Sequence, residues 1–417
     1  VTGSSRRILV VGGGVIGAAC SHQLVSRGYQ VTVIEKDRWG SACSHGNCGL
    51  VCPSHVLPLT EPGTVRKTIA SLLKGNSPFS IRPRFDPRLW KWLWRFARRC
   101  RHDLMLEAAR ARLPLLVQSQ QAYRQMVEEG ILDCEWEERG SLHIYQDEKP
   151  FEKFAATAQL LDQEFGLPPE RLDGDQLQAM EPTLNAGLAG AWYFPDDVHV
   201  RPDRLLASWR RQLEQQGVEI HEECELKRLV CEQGRVVAAV TEDAEFDVDG
   251  VVVATGALTP LLARQLGCRL PIQPGKGYSI TMPRPEPCPS IPLLFVQHKV
   301  AATPMMTGYR LGSMMEFNGY DTRIKPRRLR LLRRAAEQYL AAPYCDPVEE
   351  EWYGWRPMTS DGVPFIDLLP GLENAWVAAG HNMLGLSMAP ATGQLIAELI
   401  DGGPTSIDPA PYRIARG

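Results

Sequence analysis

The chain has 417 residues, too many for one small core, so two domains or one domain with a large insertion are expected. Hydrophobic residues make up 44% and charged residues 23%, with a formal net charge of -3. That balance argues against nucleic acid as the main partner, because phosphate-binding proteins carry a clear basic excess.

In chain order, Val1–Ser5 reads as a leader. Arg6-Arg7 ahead of the apolar run Ile8–Cys20 imitates a twin-arginine signal. The run, however, holds Gly12, Gly13, Gly14 and Gly17 and flows into a charged helix and a second strand, which serves nucleotide binding. Ile8–Val11 suits a buried parallel strand. A helix is predicted over Val15–Arg27, stopped by Gly28, and Tyr29–Ile34 forms the next strand. Arg66–Arg99 reads as helical, basic and rich in tryptophan. Helices follow over Asp103–Glu129 and Lys149–Phe165, with a strand over Arg139–Gln146. Pro202–Gln216 is helical, and Val218–Ala254 holds strands that end in the apolar run Val251–Ala254. Pro271–Met315 is strand-like and Pro326–Ala341 is a basic helix. The chain closes with a strand at Ala375–Ala379, a glycine-rich turn and a helix over Pro390–Ile400.

No apolar stretch reaches about 18 residues, so no membrane span is expected. The 11 cysteines contain no C-x-x-C pair. Cys43, Cys48 and Cys52 lack a fourth ligand at workable spacing, so reduced, packed thiols are expected rather than a metal site. Rossmann-like pieces at the beginning, middle and end imply a discontinuous nucleotide domain with a second domain inserted in two blocks.

Gly12-Gly13-Gly14-Val15-Ile16-Gly17 matches G-x-G-x-x-G between strand and helix, the context the motif requires. Gly12 permits the tight turn, Gly14 lets backbone approach a pyrophosphate, and Gly17 lets the helix pack closely on the sheet. The unsatisfied N–H groups of the helix start favour phosphate. Glu35, followed by Lys36, closes the second strand about 18 residues after Gly17, where a carboxylate accepts from ribose hydroxyls. The motif alone does not separate NAD from FAD. An acid at this position disfavours NADP.

Six further segments make the sequence resemble the D-amino acid oxidase superfamily, especially bacterial D-amino acid dehydrogenases, with glycine oxidase close behind. They are Ser44-His45-Gly46-Asn47-Cys48-Gly49, Asp196-Asp197-Val198-His199-Val200, Ala254-Thr255-Gly256, Lys276-Gly277-Tyr278-Ser279, Trp355-Arg356-Pro357-Met358-Thr359 and Gly380-His381-Asn382-Met383-Leu384-Gly385. The resemblance implies FAD as cofactor and an α/β fold: a discontinuous Rossmann-type FAD-binding domain (1–80, 195–270 and 355–417) and an inserted α+β substrate domain with a mainly antiparallel sheet (81–194 and 271–354). It assigns the flavin to Gly12, Gly14, Val15, Ile16, Gly17, Glu35 and Lys36, to Ser44, Asn47, Gly49, Leu50 and Val51, and to Ala254, Thr255 and Gly256. The last flavin segment is Gly380 with Met383, Leu384, Gly385, Leu386 and Ser387, whose amides precede a helix and suit negative charge on the reduced ring.

By the same resemblance Arg356 binds the substrate carboxylate through its planar fork and Tyr278 assists there; His55, just after the Gly49-Leu50-Val51 segment, is placed to face the pocket. The implied reaction is hydride transfer from a small D-amino acid, of a proline or hydroxyproline type among others, to the flavin. Electrons then pass to a quinone or other carrier. Glycine oxidase carries an arginine where this chain has Met383, which favours a dehydrogenase over the alternative, a glycine- or sarcosine-type oxidase that releases hydrogen peroxide. Two other classes remain open: an NAD-linked reductase and a membrane-attached electron-transfer subunit.

In Trp90-Lys91-Trp92-Leu93-Trp94-Arg95-Phe96 a helix places Trp90, Leu93, Trp94 and Ala97 on one face. Packing of these tryptophans against the substrate domain is expected, with peripheral contact to a membrane's inner face as the alternative. A cytoplasmic protein, or one peripheral on that inner face, is the corresponding location.

Overall fold

The computed structural model describes residues 6–72, 79–82 and 84–416, so the leader Val1–Ser5 lies outside the described residues. Arg7–Val11 is central in a six-stranded sheet, paired in parallel with Gln30–Ile34 on one side and Gly250–Val253 on the other. Covered on both faces, it needs apolar side chains at every position after Arg7. The order across the sheet is 365–368, 375–379, 250–253, 7–11, 30–34 and 219–221, parallel throughout except for the outermost strand at 365–368.

Ile8 and Val10 face helices Val15–Ser26 and Gly385–Asp401, which pack on each other. Leu9 and Val11 face a small antiparallel sheet of strands 228–232, 235–240 and 245–247. The two helices meet at Gly393, where a Cβ would fall 2.4 Å from the Ala19 carbonyl oxygen.

A second sheet runs in the order 350–358, 273–282, 308–317, 300–305, 293–295, 141–145, 190–194 and 170–173, with strand 79–81 attached to 308–317. It is antiparallel apart from two pairings, 293–295 with 141–145 and 308–317 with 79–81. Helix Pro326–Ala336 closes one of its faces through Leu329, Leu332, Ala335 and Ala336. We propose that the domain boundaries follow the two large sheets. Strand Glu350–Met358 pairs along its whole length with Gln273–Met282, past residue 355 where the nucleotide segment was expected to resume.

Four expectations are corrected. Arg66–Arg99 is not one helical stretch but two helices, Thr64–Leu72 and Pro87–Arg99, separated by the strand Phe79–Ile81. The second helix starts where Asp86 accepts from Arg88 N–H and Leu89 N–H with Pro87 in the first turn. Its inward stripe is Leu89, Trp92, Leu93 and Phe96, a continuous i, i+3, i+4, i+7 set that packs on Met315, Phe317 and Met358. Trp92 is therefore buried, while Trp90 and Trp94 stay exposed rather than packing inward.

The last helix begins at Gly385, a full turn before Pro390. Proline has no N–H for the Leu386 carbonyl, and the Tyr123 hydroxyl donates to that carbonyl instead, at 3.1 Å. The basic helix ends at Ala336, not Ala341.

Candidate active site

At the nucleotide end, Gly12 has φ +113, and a Cβ there would lie 2.7 Å from the Ala254 carbonyl oxygen. A Cβ on Gly17 would lie 1.8 Å from the Gly12 carbonyl oxygen, so only glycine lets the helix close on the turn. Val15 and Ile16 are buried in its first turn, and Val15 N–H donates to the Ser44 hydroxyl at 3.1 Å. Glu35 is buried, with one carboxylate oxygen accepting from Gly13 N–H at 2.7 Å and the other from Asp37 N–H at 3.1 Å. Two backbone donors thus fix this acid at the strand end.

Lys36 is exposed and pairs with Asp37 at 3.1 Å. Ala254 N–H donates to the Val11 carbonyl, Thr255 and Thr259 share a hydroxyl contact at 2.9 Å, and Gly256 has φ +54. A glycine cradle, a helix start and a fixed acid together suit the pyrophosphate and ribose of FAD.

The loop Ser44–Gly49 runs from this helix start onto the second sheet. Asn47 Oδ1 accepts from Gly49 N–H at 2.8 Å, and a Cβ on Gly49 would meet the Val200 carbonyl at 2.1 Å. Arg310, buried in strand 308–317, donates to the His45 and Asn47 carbonyls at 2.9 and 2.7 Å and to the Thr281 hydroxyl at 2.9 Å. Its role as the clamp on this loop was missed from sequence. An arginine among the apolar residues Tyr309, Leu311, Met314 and Met315 of one strand was the available signal.

Around the clamp the sheet face carries glycines whose space is taken by neighbouring side chains. Gly275 pairs with Arg356, Gly277 with Gly354, and Ser279 with Trp352 on one neighbour and Gly312 on the other. A Cβ on Gly312 would come within 2.4 Å of Cys48 Sγ, and one on Gly46 within 2.1 Å of the Trp352 ring. Arg356 spreads over this platform, its Nη1 2.2 Å from where a Gly277 Cβ would sit, and donates to the Met314 carbonyl at 2.6 Å. Ser279 Oγ, Thr303 Oγ1 and His143 Nε2 are buried without a partner among the described residues, a pattern that marks room for a polar ligand or water.

Tyr278 does not join Arg356. In a strand successive side chains alternate, so Lys276 and Tyr278 lie on the face opposite Gly277 and Arg356. Its hydroxyl donates to Glu316 at 2.9 Å, and burial first, then this carboxylate, push the phenol's pKa up. The expected carboxylate contact is thereby corrected to a structural one, under helix Pro326–Ala336.

The segment Gly380–Ser387, expected from sequence to contact the flavin, is tied to its neighbours. Ser387 Oγ donates to the Leu50 carbonyl at 3.0 Å and accepts from Cys52 N–H at 3.3 Å, which holds Leu50 and Val51 against the helix start formed by Gly385 and Leu386. Leu384 N–H donates to the His381 carbonyl, and Met383 keeps 38% of its surface exposed. Gly380 has φ +88. Asn382, also missed from sequence, accepts from Thr359 N–H at 3.0 Å and donates to the Thr359 hydroxyl and the Gly380 carbonyl at 2.9 Å each.

His55 lies beside these segments, its Nδ1 2.8 Å from Cys52 Sγ and its ring 5.3 Å from that of His143. Burial pulls its pKa down to about 4, with Arg112 and Lys299 acting in the same direction, so the imidazole is neutral at pH 7. Among the described residues no hydrogen bond joins it to Arg356.

Next to His55, the buried Asp197 accepts from the hydroxyls of Ser54 and Ser141, at 2.6 Å each, bridging the flavin side to the second sheet. Burial raises its pKa from 3.8 to about 6 against the opposing pull of the two serines. The folded state therefore holds this proton more tightly than the unfolded chain. The stability so gained is complete below pH 3.8 and is lost as pH rises through about 6, a swing on the order of 3 kcal/mol. Asp197→Asn removes the titration. The melting temperature of the wild type relative to Asp197→Asn should accordingly fall between about pH 4 and 6 and level off above that, and a flat difference would refute the assignment.

Comparison with known proteins follows the same lines. The DAO family, described as FAD dependent oxidoreductase, matches residues 7–399. The chain is 32% identical over 407 residues to a D-amino acid dehydrogenase of Methylobacterium radiotolerans, covering 95% of this chain and 96% of the relative. It is 30% identical over 408 residues to one of Paramagnetospirillum magneticum, covering 96% of each. Among solved structures it resembles glycine oxidase from Geobacillus kaustophilus, with a TM-score of 0.80, 24% identity and coverage of 99% and 100%. It also resembles an L-proline dehydrogenase from P. horikoshii, with a TM-score of 0.73, 21% identity and coverage of 99% and 98%. At these identities the solved structures speak for the fold.

Proposed function

Because the chain belongs to the DAO family of FAD-dependent oxidoreductases, we propose that it oxidises a small D-amino acid, of which proline types are one class, and passes the electrons to a quinone or other carrier reached at a membrane's inner face. The observation that carries this reading is Arg356 laid over Gly277 beside the Ser44–Gly49 loop. Among the described residues no carboxylate pairs with it, whereas the neighbouring Arg310 is spent on Thr281, two loop carbonyls and Asp203. A guanidinium without an acid, laid against Gly277 of the sheet, supports binding of a substrate carboxylate by two parallel bonds.

FAD, when bound, accepts the hydride. The residues do the rest by placement. Arg356 fixes the carboxylate and so the direction of the Cα–H bond, and Gly277 lets the guanidinium lie flat on the sheet. The electron pair of the neutral substrate amine drives the oxidation. Positioning supplies most of the acceleration, and no general base is required. The imino acid formed is hydrolysed by water to a keto acid and ammonia, or stays cyclic for a proline. The dehydrogenase names of the relatives in Methylobacterium and Paramagnetospirillum support the D-amino acid assignment.

The test is a panel of paired D- and L-amino acids assayed with a soluble dye acceptor alongside oxygen consumption. D-substrates should reduce the dye much faster than oxygen is consumed. Turnover of L-enantiomers alone would remove the D-assignment, and stoichiometric peroxide at the dye rate would place the protein with the oxidases.

A further inference from the structure

Helix Pro87–Arg99 carries Arg88, Lys91, Arg95, Arg98 and Arg99 and no acidic residue, in a chain of net charge -3. Its inward stripe is fully used, since Leu89, Trp92, Leu93 and Phe96 pack on the second sheet. The outward side still bears two large rings, Trp90 at 53% and Trp94 at 56% exposed, four residues apart on one face. Phe85, just ahead of the helix, is 99% exposed.

The cations interleave with these rings: Lys91 and Arg98 lie on the same side, and the Arg98 guanidinium sits 4.7 Å from the Trp94 ring centre. The loop before helix Pro326–Ala336 approaches from one side, with the Arg84 guanidinium 3.6 Å from where a Gly319 Cβ would be.

Isolated exposed apolar side chains need no explanation, but three aromatic rings within ten residues, set among cations, do. Indole rings with a polar N–H settle at the level of lipid headgroups, and lysine and arginine are drawn to anionic headgroups. We propose that this face docks the protein onto a bilayer bearing anionic lipids. Charge complementarity selects that occupant over a second copy of this net-acidic chain, which would bring the same cationic helix to the contact.

Docking here has a geometric result that rests on the flavin reading above. Trp92 Nε1 donates to the Met358 carbonyl at 3.0 Å, two residues beyond Arg356. The docking helix is thus braced against the strand that carries the substrate anchor, which brings the site near the lipid phase where a quinone dissolves.

The test uses the full-length holoenzyme and two vesicle preparations, phosphatidylcholine alone and phosphatidylcholine mixed with phosphatidylglycerol. Co-sedimentation should occur with the mixed vesicles only and weaken as salt is raised. Trp90→Ser/Trp94→Ser and Lys91→Glu/Arg98→Glu should each lower partitioning on the order of ten-fold. Both variants should keep wild-type turnover with a water-soluble dye, which separates docking from folding and needs no quinone. Wild type that leaves both vesicle types in the supernatant at low salt would overturn the proposal. So would variants that bind like wild type, or a concentration-dependent dimer that the tryptophan variant dissolves.

Discussion

Arg356→Ala is expected to lower kcat/KM for the D-amino acid substrate by about thirty-fold to several thousand-fold while flavin content stays at the wild-type level. Truncation leaves the substrate carboxylate without its charged partner in a partly desolvated site, and losing one side of such a pair costs about 2–5 kcal/mol. That cost converts directly to the quoted range. Arg356→Lys should recover only part of the loss, because an ammonium keeps the charge but not the planar fork. Neither change touches the glycine turn at residues 12–17, so the flavin-to-protein ratio serves as the internal control. Steady-state kinetics on paired D- and L-substrates, with absorbance of the bound flavin recorded, provide the measurement. Unchanged kinetics in Arg356→Ala would remove the anchor.

Gly17→Ala should be the most damaging small change in the nucleotide half. The new Cβ would sit 1.8 Å from the Gly12 carbonyl oxygen, and both partners are backbone, so no side-chain rotation relieves the clash. The first helix must lift from the sheet, which opens the cradle of Gly12 and Gly14 and moves the helix start away from the pyrophosphate. Overpacking of this kind costs about 3 kcal/mol or more. Purified Gly17→Ala should carry at most about a tenth of the wild-type flavin and melt several degrees lower. Gly403→Ala is the matched control, since nothing lies within 4 Å of its Cβ. Equal flavin retention in Gly17→Ala and Gly403→Ala would contradict the packing argument.

The nucleotide half was legible in the sequence because its signals are local. Three glycines at fixed spacing, one acid and two apolar runs sit within about thirty residues, and each constrains its own turn or strand. Strand Glu350–Met358 offers no such signal. Trp352, Gly354 and Arg356 face the Ser44–Gly49 loop while Tyr353 and Trp355 face the other way, so both sides carry aromatic groups and no polar–apolar alternation appears.

Tyr278 shows a different limit. A motif can place a tyrosine in the strand beside Arg356, but which face it takes depends on a register set by partners some eighty residues away. Arg310 and Asn382 act through carbonyls and hydroxyls that come close only after folding. Asp197 was quoted in a matching segment, yet its work depends on Ser54 and Ser141, 143 and 56 residues distant.

The Asn382 contacts have a mechanical consequence. Its side chain holds Thr359 and its own N–H donates to the Pro357 carbonyl at 3.1 Å, so the stretch just after Arg356 is stitched to the glycine loop through three hydrogen bonds from one residue. Arg356 is rooted in the second sheet, but the backbone just after it is laced to the glycine loop at 380–385. A displacement of one sheet against the other would therefore drag the arginine and that loop together, and under the proposed function this tether would hold the carboxylate anchor in register with the hydride acceptor.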